Sequence, residues 1–183
     1  MQVKQIATGG VTDIYVMFNA QRPDSVVGFY QNIVGKPVLL PQWAFGWHQC
    51  KYCYRSQDDY RSVVDNYRIN NIPLDAQWAD IDYMDRYRDF SLDPINFGNL
   101  TKYVDDLFHN MNIKFVPIID AGIAMRPGQN YSAYDIGMEK GLFLKMQDSS
   151  DPFVGRVWPN EAVFPDFFHP ETASWWENQL TQF

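Results

Sequence analysis

Two cysteines, three histidines and four glutamates are all that the 183 residues contain of these types. Each scarcity excludes something. Cys50 and Cys53 form one CxxC, and a zinc site needs two further ligands. The nearby His48 falls in strand-like sequence, between Trp47 and Gln49. A thioredoxin-type CxxC opens a helix, whereas this one precedes a polar loop. The sequence therefore calls for no metal and no cofactor. No run approaches the roughly 20 apolar residues of a membrane span. The opening MQVKQIATGG lacks the apolar stretch of a signal peptide. Lys and Arg total 15 against 22 acids, for a net charge of −7 with no basic stripe, which argues against nucleic acid. Neither GxGxxG nor a Walker motif occurs, which disfavours nucleotide-binding sheets.

What is abundant is aspartate and aromatic side chains. Eighteen Asp stand against four Glu, and 16% of the chain is Phe, Trp or Tyr. Asp favours caps, turns and loops over helix interiors, so many acids should lie at element ends. Aromatic faces beside carboxylates suit sugars, which present both C–H faces and hydroxyls. An aromatic core with solvated acids fits the composition as well. With 46% hydrophobic and 20% charged residues, the chain has a folded domain's composition.

Along the chain, residues 11–18 read as a strand, followed by a turn-like stretch 19–24 and the segment 26–33. A break runs from Gly35 to Pro41, with one or two strands expected before it. Beyond it the pattern alternates. Residues 43–48 read as a short buried strand and 57–70 as a helix. Residues 72–82 read as a second strand, 94–111 as a helix, and 114–120 as a third strand. The apolar positions Leu100, Tyr103, Val104, Leu107 and Phe108 have helical spacing. Residues 121–170 form a long excursion in which 142–146 and 154–158 are expected to pair as a hairpin. A final amphipathic helix starts at Glu171. Strand–helix alternation is the rhythm of a parallel α/β sheet, either doubly wound or a (β/α)8 barrel. Tyr52 follows the first strand, Asp80 and Asp82 end the second, and Asp120 ends the third. In a barrel, such C-terminal strand ends build the active face.

Several motifs sharpen this. LPQWAFGWHQCKYCY (40–54), IPLDAQWADIDYMDRYRDFSLD (72–93), FVPIIDAGI (115–123) and GRVWPNEAVFPDFFHPETASWW (155–176) resemble, in order and spacing, the opening of the catalytic barrel of family 31 glycoside hydrolases. TGGVTDIYVMF (8–18) and VVGFYQNIVGKPVLLP (26–41) resemble the end of that family's β-sandwich and its link to the barrel. The resemblance implies an α/β fold: a partial (β/α)8 TIM barrel of about three β/α units over 39–183, preceded by the end of a β-sandwich over 1–38. It implies retaining, α-glucosidase-like hydrolysis of an α-linked glucoside or other oligosaccharide.

The resemblance also implies roles. Asp80 accepts hydroxyl hydrogen bonds from a terminal sugar, as a charged acceptor does well. Ile81, Tyr52, Ile123 and Trp158 line the same pocket. Asp82 is structural, paired with Arg86 or Arg88. Asp120 organises its loop, and Asp166 braces the following helix. Three departures from the family pattern stand out. Ala121 replaces Pro, leaving Gly122 to supply backbone freedom. Asn160 replaces Gly, and Cys53 replaces a common Gly. The family nucleophile belongs to a W-x-D-M-N-E-type motif that this sequence does not contain. The resemblance thus places both catalytic carboxylates beyond Phe183 and implies that residues 1–183 alone are inactive. A non-catalytic carbohydrate-binding or interaction protein is the alternative. Asn99-Leu100-Thr101 and Asn130-Tyr131-Ser132 fit the glycosylation sequon, which with the resemblance favours a secretory, lysosomal or extracellular setting.

Overall fold

A computed structural model describes residues 4, 6, 8–11, 13–19 and 22–183. The chain divides into two compact units, Met1–Leu40 and Pro41–Phe183.

In the first unit the described residues hold one helix, α1 (Pro23–Val34), and no strand. The expected strand over 11–18 is not formed at its described positions, and Thr12 lies outside them. Segment 26–33 is helical because Val26, Tyr30 and Ile33 recur at i, i+4 and i+7. Pro23 in the first turn supplies a preset φ at a place where its missing N–H costs nothing.

The second unit starts with a 3₁₀ turn, Gln42–Phe45, followed by a two-residue strand β1 (His48–Gln49). The expected strand 43–48 is thus mostly turn. Gly46 ends that turn, where any Cβ would collide with the Asp75 carboxylate. That carboxylate instead accepts the Trp47 N–H at 2.9 Å. Helix α2 (Gln57–Ile69) opens with a capping box in which Ser56 Oγ accepts from Asp59 N and the Asp59 carboxylate accepts from Ser56 N. Strand β2 (Ala76–Ala79) is shorter than the expected 72–82, because Asp80 turns the chain into a 3₁₀ turn at Ile81–Tyr83. Helix α3 (Leu100–Met111) starts six residues later than periodicity suggests, since Asp93 caps Ile95 N and Asn96 N and holds that stretch in turns. Strand β3 is Lys114–Pro117.

These three strands form one parallel sheet in the order β1-β2-β3. Gln77 and Phe115 share the face covered by α2 and α3, with Tyr60, Val64, Tyr103 and Leu107 buried there. Burying a Leu or Val side chain of this kind contributes roughly 1.5–3 kcal/mol. Gln77 is buried yet satisfied: its amide donates to Tyr60 O and its carbonyl accepts from Tyr103 Oη at 2.7 Å. The opposite face carries Trp78, whose Nε1 donates to His48 Nδ1 at 3.0 Å. His48 Nε2 then donates to Trp43 O, so both ring nitrogens are committed.

The excursion after β3 builds a small antiparallel sheet from β4 (Ile123–Ala124), β5 (Val154–Val157) and β6 (Asn160–Val163), in the order β4-β6-β5. The hairpin is β5–β6 rather than 142–146 with 154–158. Asn160 makes this possible by taking φ 73, a left-handed turn position that Asn tolerates. Phe143 and Lys145 make only single bridges, to Pro165 and Pro152. Helix α4 (Ser132–Glu139) packs on β4, and Ile123, Tyr134, Leu142, Phe143, Val163 and Trp175 form a second core. Gly122 does not take a left-handed φ. It is required because a Cβ there would meet Val157 Cγ2 at 2.8 Å. Helix α5 (Thr172–Gln182) closes the unit. No helix among the described residues is long and apolar enough to cross a membrane.

Candidate functional site

The C-terminal ends of β1 and β2 and the β5–β6 turn meet around a cavity of about 350 Å³ lined by Tyr52, Asp80, Ile81, Tyr87 and Trp158. Four of the five residues singled out from the sequence are therefore brought together. The fifth, Ile123, is not: it lies in β4, fully buried and paired with Val163, in the core beneath the hairpin.

Asp80 is both cap and wall. Its Oδ1 accepts from Ile81 N at 2.8 Å, which fixes the carboxylate at the mouth of the sheet. Ile81 is buried in the core and contributes to the cavity floor. Tyr52 is 52% exposed, so its ring is a surface of the cavity rather than core packing. Interaction with the Tyr87 hydroxyl holds its phenol above the ordinary value. Trp158 is the tip residue of the β5–β6 hairpin and is 57% exposed. Arg126 secures that tip by donating from Nη2 to Pro159 O at 2.7 Å and from Nη1 to Met125 O at 2.8 Å.

The loop after β2 is held under strain. Arg86, Tyr87 and Phe90 all have φ between 53° and 59° without being glycine, and such positions cost on the order of 1 kcal/mol each. The bracing is local. Arg88 binds the Asp85 carboxylate through Nη2 and the Asp85 carbonyl through Nε at 3.2 Å, while Ser91 Oγ bonds Arg88 O and Asp85 N. The expected pairing of Asp82 with Arg86 or Arg88 is not found, because Asp85 is nearer in sequence and takes both arginines. Burial works against Asp85, but the two guanidiniums hold its carboxyl below the usual range. Asp82 instead accepts the Cys53 N–H.

A carboxylate bridge that the sequence did not announce links the β2 loop to the Asp120 loop, whose acid neighbours Asp80. Asp89, 1% exposed, accepts the Asp120 N–H at 2.7 Å, and Tyr131 Oη donates to its carbonyl at 3.0 Å. Burial pushes the Asp89 carboxyl up to about 7. Burial and the neighbouring Asp80 charge also raise Asp120. Asp120 therefore joins its loop to the β2 loop through its backbone. Asp166 accepts from Phe168 N, and its carbonyl accepts from Thr172 Oγ1 at the start of α5, bracing that helix as expected. Tyr87 and Arg126 lie outside the motif positions that the resemblance assigns to the pocket; for Tyr87 the one available signal is the run of bulky residues in DRYRDF, and for Arg126 the sequence offers none.

Among the described residues no group of three His, Cys, Asp or Glu is placed to hold a metal ion. One carboxylate flanked by aromatic rings and an aliphatic edge can grip hydroxyls while stacking on C–H faces, which is sugar chemistry.

Comparison with known proteins agrees with this architecture. Residues 37–183 match the family described as "Glycosyl hydrolases family 31 TIM-barrel domain". A probable alpha-glucosidase of Oryza sativa subsp. japonica is 42% identical over 96% of this chain and 19% of its own length. The lysosomal alpha-glucosidase of Bos taurus is 38% identical over 97% of this chain and 19% of its own length. The glucosidase II alpha subunit superposes with a TM-score of 0.79 at 29% identity, covering 87% of this chain and 17% of that one. A family 31 alpha-glucosidase from Bacteroides thetaiotaomicron gives a TM-score of 0.74 at 34% identity, over 88% of this chain and 27% of that one. The chain thus spans about a fifth of the length of the two alpha-glucosidases named first.

Proposed function

We propose, from the fact that the chain belongs to glycosyl hydrolase family 31, that it forms part of a retaining α-glucosidase. In this reading residues 41–183 supply the first β/α units of the catalytic barrel and the wall that holds a terminal glucosyl ring. Asp80 accepts two ring hydroxyls, Tyr52 and Trp158 cover the C–H faces, and Ile81 supplies an apolar edge. Ile123 acts from behind, as packing under the hairpin that carries Trp158.

The observation that supports this is the convergence of Asp80, Tyr52, Ile81 and Trp158 from three separate segments on one cavity. Retention needs two carboxyls about 5–5.5 Å apart, one as nucleophile and one as acid/base. We assign both to sequence outside these 183 residues. What this segment contributes is orientation, which brings the anomeric carbon to bear on groups supplied elsewhere.

The test is hydrolysis of nitrophenyl α-glucoside by the full-length polypeptide that carries this segment. Asp80→Ala should lower kcat/KM by roughly a hundredfold or more, since two charge-assisted hydrogen bonds of about 1.5–3 kcal/mol each are removed. Residues 1–183 alone should give no turnover. Unchanged activity in Asp80→Ala, or turnover by residues 1–183, would overturn the assignment. Sugar binding without hydrolysis by the full-length polypeptide would mark it as a non-catalytic binder.

A further inference from the structure

We propose that Tyr87 is a specificity-determining residue of this site, the partition that confines the Asp80 cavity to a single terminal sugar ring. The inference rests on the glycoside-binding reading given above.

Beside the Asp80 cavity lies a second, polar cavity of about 410 Å³, with Arg55, Asp82, Asp93 and Asn96 among its walls. Among the described residues, Tyr52 and Tyr87 alone line both cavities. The two side chains therefore stand between the compartments. Each compartment falls at the lower end of the volumes that hold small ligands, roughly 300–1,000 Å³. A ligand bound at Asp80 with further bulk on this side meets the tyrosine rings. Without the Tyr87 ring the same bulk has a hydroxyl-binding compartment to enter.

The backbone gives a second, independent reason. Tyr87 has φ 59 and follows Arg86 at φ 53. Two consecutive left-handed residues with side chains are costly, and glycine or asparagine would occupy these positions with less strain. Tyr87 is also 38% exposed, so core packing does not explain the ring. The Asp85–Arg88–Ser91 bracing of the loop involves no group of Tyr87. A strained, braced, half-exposed aromatic at a cavity mouth is a group held there for what its ring does to a ligand.

The experiment compares nitrophenyl α-glucoside with nitrophenyl α-maltoside in the full-length polypeptide and separates the products by chromatography. The wild type should take glucose from the maltoside end. Tyr87→Gly relaxes the backbone and removes the ring. It should still hydrolyse the glucoside and raise the yield of intact maltose relative to glucose at least tenfold. Tyr87→Phe should keep the wild-type product ratio, because the ring makes the partition. If Tyr87→Gly does not fold, Tyr87→Asn, which also accepts a left-handed φ, gives the same reading. A folded ring-less variant that keeps the wild-type ratio, or that loses hydrolysis of both glycosides, overturns the proposal. No hydrolysis of either glycoside by the wild type overturns the underlying reading, and this proposal with it.

Discussion

The Asp82 carboxylate accepts a hydrogen bond from the Cys53 backbone N–H at 2.8 Å. This contact joins the turn after β2 to the loop that carries Tyr52. It holds Cys53 at φ 77, a conformation that suits glycine and strains a side chain. The two residues are therefore predicted to respond in opposite directions. Cys53→Gly should stabilise the fold by about 1 kcal/mol, since the strain is relieved and the N–H remains to be bound. Asp82→Ala should cost about 1.5–3 kcal/mol, the usual loss for a hydrogen bond to a charged group. Urea denaturation of both variants checks the signs. Asp82→Ala should also raise the KM for a glucoside, because Tyr52 loses its anchor; an unchanged KM would separate Asp82 from the site.

The same pair shows how far the sequence could be read. The order of β/α units and the identity of the strand-end acids are legible because hydrophobic periodicity reports on local structure, whereas most of the cavity wall is legible only through the resemblance to family 31 motifs. The partners of those acids were not. Asp82 was expected on an arginine, yet Asp85 sits closer to both arginines and a backbone N–H 29 residues away was free to take its place. Strand ends were overestimated wherever an Asp caps the following turn, as at Asp80 and Asp93. The hairpin partner is local: residues 154–157 pair with 160–163 across a two-residue turn, while 142–146 reaches the sheet only through single bridges. Ile123 looked like a wall residue by position, while β4 pairing turns it into core.

Arg126 is predicted to act on ligand binding through Trp158 without touching the sugar. Its two hydrogen bonds end on the carbonyls of Pro159 and Met125, which fixes the hairpin tip. Arg126→Ala leaves these carbonyls to water and frees the tip. The expected result is a several-fold rise in KM with little change in kcat. Trp158→Ala combined with Arg126→Ala should add no further loss beyond Trp158→Ala alone, as for two residues acting through one contact. Full additivity in that double-mutant cycle would disprove the coupling.

Tyr60 lies at the centre of the first core with its ring against Tyr54, Phe97, Tyr103 and Phe115. Its hydroxyl is buried and has no hydrogen-bond partner among the described residues. An orphaned polar group of this kind costs roughly 1–3 kcal/mol. Tyr60→Phe keeps the ring and its packing, and should raise stability by about 1 kcal/mol. A loss of stability would reveal a partner for the hydroxyl, such as bound water.

Asp89 should make the fold less stable as pH rises from about 4 to about 7. Its carboxyl titrates at about 7 in the folded chain because burial penalises the charge, against 3.8 as its ordinary value. Between these values the folded chain binds the proton and the unfolded chain does not. Its contribution to stability is therefore fully present below about pH 4 and is lost as pH rises toward and through 7. The groups facing it do not reverse this: Asp120 adds like charge, and Tyr83 and Tyr131 stay neutral because their phenols are pushed up by burial. Asp89→Asn keeps an oxygen to accept the Asp120 N–H and removes the titration. The variant should match the wild type near pH 4 and exceed it near pH 8 by on the order of 4 kcal/mol. Denaturation midpoints at the two pH values measure the difference. Because Asp89 bridges to the Asp120 loop beside Asp80, the KM for a glucoside should rise with pH in the wild type more steeply than in Asp89→Asn. Parallel KM profiles would confine Asp89 to stability and detach it from the cavity.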